Sequence, residues 1–116
     1  DRFRQRREAA VRFMRAYIRG VRWYNQAAFG LGGPGGPGTG MYDELLAVVE
    51  QYTGARRQAI ARSLAYIHPD ARVDTQDLLQ QQQWYRAQGM LSRVVDPSEF
   101  VDMSFIDEAL AGLRGR

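Results

Sequence analysis

The chain from about Arg4 to Ala28 has the pattern of one long amphipathic helix, and no strand pattern precedes or follows it. Between residues 8 and 28, apolar side chains recur at steps of three and four residues, which is the period of an α-helix. They are Phe13, Met14, Tyr17, Ile18, Val21 and Tyr24. On the opposite side, arginines recur at the same steps, namely Arg12, Arg15, Arg19 and Arg22. This helix must bury its apolar side against other elements, so the sequence favours a helical fold.

The charge of the chain is unevenly distributed. All 16 basic residues are arginine, which is typical of a GC-rich genome, and half of them lie within the first 22 residues. The first 24 residues hold eight arginines and two acids, whereas the remainder holds eight arginines and eleven acids. We expect the two parts to attract each other on folding, so the arginines are weak evidence for an external polyanion. A nucleic-acid-binding helix and an ordinary helix of a larger protein both remain open.

Length and composition exclude several classes of protein. The chain has 116 residues, enough for one modest core, and no cysteine, which excludes disulfides, thiol catalysis and cysteine-bound zinc. No apolar run approaches the roughly 20 residues of a membrane-spanning helix, and no signal-peptide pattern is visible. The sequence also begins within a helical pattern, without a capping signal, as a segment of a longer protein would.

Residues 30–40 are rich in glycine and proline, and they predict a flexible linker. A phosphate-binding loop is disfavoured because no strand precedes this run and no Gly-Lys-Ser/Thr sequence closes it. The chain therefore divides into a long basic amphipathic helix at 1–29, a linker at 30–40 and a helical segment at 41–116.

Five more helices are expected after the linker, one of them a short helix that follows Asp96 through about Val101. Apolar periodicity predicts helices at about 41–52 and 56–66, and the Pro69 turn ends the second of these. Asp74 has the position of an N-cap for a helix that ends at Gly89. Asp96-Pro97-Ser98-Glu99 is a strong helix-start signal, and 104–113 forms the last helix. The expectation is an all-α fold with about six helices.

The candidates for chemistry are few. His68, the single histidine, lies in a turn sequence and is more readily explained as a loop residue than as a general base. Three acid pairs lie early in predicted helices, where the helix dipole favours acids: Asp43-Glu44, Asp74 with Asp77, and Asp107-Glu108. Since none has the partners that acid–base catalysis or metal binding requires, we expect no enzyme, catalytic residue, metal or cofactor.

Two Trp-Tyr pairs, Trp23-Tyr24 and Trp84-Tyr85, lie on two different predicted helices. Aromatic side chains beside arginines could stack on nucleic-acid bases. Aromatic residues at helical spacing more often lie at the edge of a core with their polar atoms outward, and we favour that interpretation.

Five segments, in this order, resemble one protein family. Residues 12–25 resemble a late helix of the periplasmic solute-binding proteins of the nitrate, sulfonate, taurine and thiamine-precursor group of ABC importers. Residues 42–54 resemble the next helix, and 68–74 the turn that follows. The segment 84–91, Trp-Tyr-Arg-Ala-Gln-Gly-Met-Leu, resembles the family's "aromatic-aromatic … Gln-Gly-aliphatic" motif, and 102–110 its C-terminal signature. The glycine-rich linker departs from the family.

The resemblance implies the C-terminal helical part of a two-lobed α/β protein that closes on a small organic or anionic solute and delivers it to a membrane permease. It also implies a periplasmic location. This segment lacks the strands that build most of the cleft, so the ligand-binding residues are unknown. We expect its apolar faces to cover the missing lobe, and copies of the isolated chain to associate. The alternatives are an arginine-rich nucleic-acid-binding module, which we consider unlikely, and a helical protein-interaction module.

Overall fold

The computed structural model describes residues 2–114, which form five α-helices, one 3-10 turn and no strand. The helices are α1 (Arg2–Phe29), α2 (Gly40–Thr53), α3 (Arg57–Ser63), α4 (Thr75–Ala87) and α5 (Ser104–Arg114), and the 3-10 turn is Pro97–Glu99. The all-α prediction is confirmed. The predicted short helix after Asp96 is only this single turn, and Asp96 caps it by accepting a hydrogen bond from the Ser98 amide at 2.9 Å.

The main core lies between the two ends of the chain, where α1 packs against α5. Its buried members are Val11, Ile18, Ile106, Ala109 and Leu110. Ile18 and Ala109 are completely buried. The buried residues of α5 recur at helical spacing, so they form one apolar side of that helix. At the edge of this core, Arg7 forms an ion pair with Glu108 at 3.1 Å, and its guanidinium carbon lies 4.3 Å from the ring centre of Phe105.

A second core joins the carboxyl end of α1 to α2 and α3. Ala27, Ala28 and Leu45 are buried in it. The partly buried side chains packed around these three are Trp23, Tyr24, Met41, Val49 and Leu64. Thr39 caps the amino end of α2, where its hydroxyl accepts a hydrogen bond from the Tyr42 amide. Gly54 caps the carboxyl end in the left-handed conformation that glycine favours.

The glycine- and proline-rich segment folds back against the end of α1. The side-chain amide of Gln26 donates to the Pro34 carbonyl at 2.9 Å, and the Gly36 amide donates to the Ala27 carbonyl at 3.1 Å. Gly36 has a φ of 92°, which a residue with a side chain rarely adopts. The glycines therefore let the chain turn tightly enough for α2 to return along α1.

The buried side of α1 matches the predicted one only in part, because four of the six predicted residues are buried or half-buried and two are exposed. Its helical period is correct, but Phe13 is 67% exposed and Tyr17 is 47% exposed, whereas Val11 and Asn25 are buried. The buried line that includes Ile18 lies roughly a quarter turn or more around the helix from Phe13 and Tyr17. Since apolar residues occupy well over half of the circumference of α1, the helical period alone did not fix which of them face α5.

Helix α3 is shorter than predicted, because it ends at Ser63 rather than at Tyr66. The chain becomes extended at Leu64, and the next residues run beside α1. There, the hydroxyl of Tyr24 donates to the Ala65 carbonyl at 2.7 Å and the side-chain amide of Asn25 donates to the Ile67 carbonyl at 2.5 Å. These bonds take the place of the last helical turn that the periodicity predicted.

Helix α4 lies at the edge of the structure and contributes no buried residue. It packs against the 3-10 turn alone, and the side-chain amide of Gln82 bridges the two by bonding both the amide and the carbonyl of Val95. The molecule is correspondingly open: its radius of gyration is 17.8 Å, against about 13 Å for a compact domain of about 100 residues.

The α1–α5 core predicts a large difference between two apolar truncations on the same helix. Ile18→Ala should lower the free energy of unfolding by about 2–5 kcal/mol, because it leaves a cavity in a fully buried site. Phe13→Ala should change it by about 0.5 kcal/mol or less, because Phe13 is exposed. Urea denaturation followed by circular dichroism measures both, and equal losses would contradict the observed burial.

The folded linker predicts a specific sensitivity at Gly35. A Cβ atom there would collide with the backbone carbonyl of Gln26, so Gly35→Ala should cost about 1–3 kcal/mol. Gly40→Ala is the matched control, because a Cβ at Gly40 meets nothing within 4 Å and its effect should stay within about 0.5 kcal/mol. Thermal denaturation compares the two, and a neutral Gly35→Ala would mean that the segment is a free linker.

Candidate interaction surface

The turn between α3 and α4 is held by buried and half-buried side chains of α1. Asn25 is 2% exposed, and both atoms of its side-chain amide group bond the backbone of Ile67. Burial raises the pKa of the Tyr24 phenol. Sequence reasoning missed Asn25, although a polar residue in line with Ile18 and Val21 on an apolar helix side is the signal that marks such a position.

His68 lies in this turn, where it was predicted. Its Nδ1 accepts the backbone amide of Asp70 at 3.1 Å, and Asp70 forms an ion pair with Arg22 at 2.9 Å. The Nε of Arg22 also donates to the Pro69 carbonyl at 3.2 Å. These contacts tie the turn to α1, so the histidine serves the turn geometry in this arrangement.

Five of the six acids in the three pairs have partners among the described residues, and Glu44 has none. Asp74 caps α4 by accepting the Asp77 amide at 3.1 Å, as predicted. The members of the third pair do more than favour the helix dipole. Asp107 pairs with Arg72 at 2.7 Å, and Glu108 pairs with Arg7. Within residues 2–114, no group of three or more acid or histidine side chains is placed to hold a metal ion.

The arginines of α1 divide into two sets. Arg7 and Arg22 form ion pairs with acids from the remainder of the chain, as the charge distribution predicts. Arg6, Arg12 and Arg19 are exposed, and among residues 2–114 no carboxylate lies within 4.0 Å of their guanidinium nitrogens. The outward side of α1 therefore keeps an uncompensated positive charge.

Arg15 has a different environment from its neighbours in the predicted stripe. Its guanidinium group lies where a Cβ of Gly112 on α5 would be, and its Nε is buried without a hydrogen-bond partner. The absence of a side chain at Gly112 thus lets an arginine pass between α1 and α5. Arg15 is part of this interface and is not available to a ligand in the manner of Arg12.

The two Trp-Tyr pairs have different surroundings. Trp23 and Tyr24 pack against the second core, as the favoured interpretation predicts. That interpretation is wrong for the other pair, because Trp84 is 56% exposed and Tyr85 is 42% exposed. Their rings contact each other edge to face, with centroids 5.3 Å apart. Beyond them, Met90, Leu91 and Phe100 are also exposed, so exposed apolar and aromatic side chains recur from α4 to the residue that follows the 3-10 turn.

An open cavity of about 660 Å³ lies between α1, the linker and the turn at Pro69. Its size is in the range of small-molecule sites, and three of its polar side chains already have partners within the chain. Arg22 bonds Asp70, Asn25 bonds Ile67, and Gln26 bonds Pro34.

Comparisons with protein-family models, with curated proteins and with solved structures find no match to this chain. No helix among residues 2–114 is long and apolar enough to cross a membrane. The features available for a functional argument are therefore the geometry and the exposed side chains.

A pH dependence follows from the cap of α5. The side-chain and backbone hydrogen bonds from Ser104 lower the pKa of Asp102, and Arg7 contributes in the same direction. Because the pKa in the folded state lies below that in the unfolded state, the stabilisation is present at neutral pH and is lost as the pH falls below about 4. The difference in stability between the wild type and Asp102→Ala should therefore be largest near pH 7 and shrink towards pH 2.

Urea denaturation at a series of pH values measures this difference. Glu44→Ala is the control, since Glu44 is exposed and accepts no hydrogen bond among the described residues. A difference for Asp102→Ala that grows on acidification would show that the carboxylate does not cap α5.

Proposed function

We propose that this chain is the C-terminal helical part of an extracytoplasmic solute-binding component of an ABC importer. The observation that carries the proposal is the uncovered apolar surface of α4 and the segment after it. Trp84, Tyr85, Met90 and Leu91 are exposed, and they belong to the segment whose sequence resembles that family. The parent protein would bind a small organic or anionic solute, such as a sulfonate, nitrate, taurine or a thiamine precursor.

The energetics of α4 support a missing neighbour. A helix of 13 residues is marginal in water unless one of its sides packs against other structure, and α4 has no buried residue. Its N-cap and its bridge to Val95 define where it lies but add little burial. Packing its exposed aromatic side against a sheet-bearing lobe would supply the missing stabilisation.

The open shape leads to the same expectation for the whole segment. Among residues 2–114, the structure shows thirteen exposed large apolar or aromatic residues, and the radius of gyration exceeds that of a compact domain. In the intact protein, this segment would be a non-catalytic part without a cofactor, and its partners would be the solute and the membrane permease. The proposed location is periplasmic or otherwise extracytoplasmic.

In the isolated chain, the same surfaces would be open to a second copy, so we infer that the isolated chain forms homo-oligomers. A helical protein-interaction module is the second candidate, because the exposed surface of α4 would equally fit an external protein. A nucleic-acid-binding module is less well supported, since Arg7 and Arg22 are paired with acids and Arg15 is packed against α5.

The proposal predicts a contrast in hydrogen exchange. In the isolated chain, the amides of α4 should exchange much faster than those near Ile18, because α4 lies outside both cores. In the intact protein encoded by the native gene, α4 should be protected to about the same extent as α1. The amides near Ile18 are the internal control in both samples.

The sequence of the native gene upstream of Asp1 tests the proposal independently of the exchange experiment. An upstream α/β region with a secretion signal, together with binding of organic anions by the intact protein in a thermal-shift screen, would support the proposal. A native gene that encodes only this helical segment would contradict it and favour the interaction module.

A further inference from the structure

We propose that the outer side of α1 in one copy binds the exposed side of α4 in a second copy, through an arginine–carboxylate contact beside an aromatic contact. This inference goes beyond the solute-binding assignment, and it rests only on the part of the proposed function that concerns self-association. It identifies the two surfaces that meet and the charges that align them.

The first surface is the side of α1 that carries Arg6, Phe13 and Tyr17. It lies next to α5, since Phe13 lines an open cavity together with Phe105 of that helix. Arg6 and Phe13 are seven residues apart, so they lie on one line along the helix, and Tyr17 lies one turn beyond Phe13. The rings of Phe13 and Tyr17 are stacked, with centroids 6.4 Å apart and planes inclined by 21°. Both rings are exposed, and Arg6 has no carboxylate partner among residues 2–114. This side of α1 is therefore basic at its amino end and aromatic further along.

The second surface is the side of α4 that faces away from the 3-10 turn. Asp77 and Trp84 are also seven residues apart, and both are exposed. Asp77 accepts a hydrogen bond from the side-chain amide of Gln81 at 2.7 Å, which fixes the carboxylate on this side, and it takes part in no ion pair within the described chain. Tyr85 adjoins Trp84. This side of α4 is acidic at its amino end and aromatic further along.

The two surfaces match in spacing and in charge. On each helix, the aromatic residue lies two turns beyond the charged residue, which is a distance of about 10.5 Å along the helix. Placing the two helices side by side in parallel brings Arg6 beside Asp77 and Phe13 beside Trp84 at the same time. The antiparallel arrangement would place each charge beside an aromatic ring, so the charges select the parallel one.

The geometry of a single copy prevents these surfaces from meeting within the chain. Helix α1 packs against α5 and α2, while α4 packs only against the 3-10 turn. Arg12 and Arg19, which flank the first surface, form no ion pair within the described chain. Asp74, which caps α4, also forms no ion pair there. A second copy of the chain supplies both complementary surfaces and would bury Trp84 against Phe13. A nucleic acid bound to α1 would leave Trp84 exposed.

The test is self-association of the isolated chain, measured by sedimentation velocity over a range of concentrations. Arg6→Asp and Asp77→Arg should each weaken association about tenfold, because each converts an attraction into a repulsion. Combining the two changes in one chain, or mixing equal amounts of the two single variants, should restore most of the lost affinity. Glu44→Arg on α2 is the control for an altered exposed acid and should leave association unchanged.

A second pair of variants tests the aromatic contact. Trp84→Ala should weaken association at least tenfold, because a large aromatic anchor is lost, whereas Gln80→Ala on the same helix should have little effect. Circular dichroism of every variant reports whether the helices are retained. A monomeric wild type at millimolar concentration, or association that responds to neither charge reversal nor its restoration, would overturn the inference.

Binding of a labelled single-stranded oligonucleotide, measured by fluorescence anisotropy, addresses the other occupant of α1. If Arg6→Asp abolishes such binding while the wild-type chain stays monomeric, the outer side of α1 is a nucleic-acid surface and the inference is wrong. Failure of the charge-reversal test leaves the solute-binding proposal to be decided separately by the native reading frame, so the two failures are distinguishable.

Discussion

The packing of α1 against α5 is the contact on which the rest of the structure depends. Ile18 and Ala109 are completely buried there. Beside them, Arg7 forms an ion pair with Glu108 and contacts the ring of Phe105. This contact fixes the position of α1, the 28-residue helix against which other segments pack. The linker, the turn at Ile67 and α2 are then attached to the carboxyl half of the same helix through hydrogen bonds and a second core. Only α4 and the 3-10 turn gain little from it.

Much of the fold could be predicted, because several local signals are strong. The helical period of α1, the cap at Asp74 and the start signal at Asp96 each appear in the structure at the expected place. These features depend on residues close in sequence, so a local pattern is enough to identify them. The exact end of α3 depends instead on Tyr24 and Asn25, which lie about 40 residues away, and no local pattern reports such a contact.

The surfaces were harder to predict than the helices. Phe13 and Ile18 both fit the helical period, and only the position of α5 determines that one is exposed and the other buried. In the same way, Trp23 and Trp84 have similar sequence neighbours but opposite environments, because α2 covers one and nothing in the described chain covers the other. Burial is a property of the assembled elements, and the sequence of one element does not contain it.

The α1–α5 contact has a consequence for how the chain acquires its structure. Arg7 meets Glu108 across a separation of 101 residues, so the main core can close only after the chain has been synthesised as far as α5. Contacts between α2 and α3 are local and form early, whereas closure of the loop between the two ends is slow. A nascent chain would therefore expose the apolar side of α1 to solvent until α5 has been synthesised, and molecular chaperones that recognise exposed apolar helices would have their longest opportunity there.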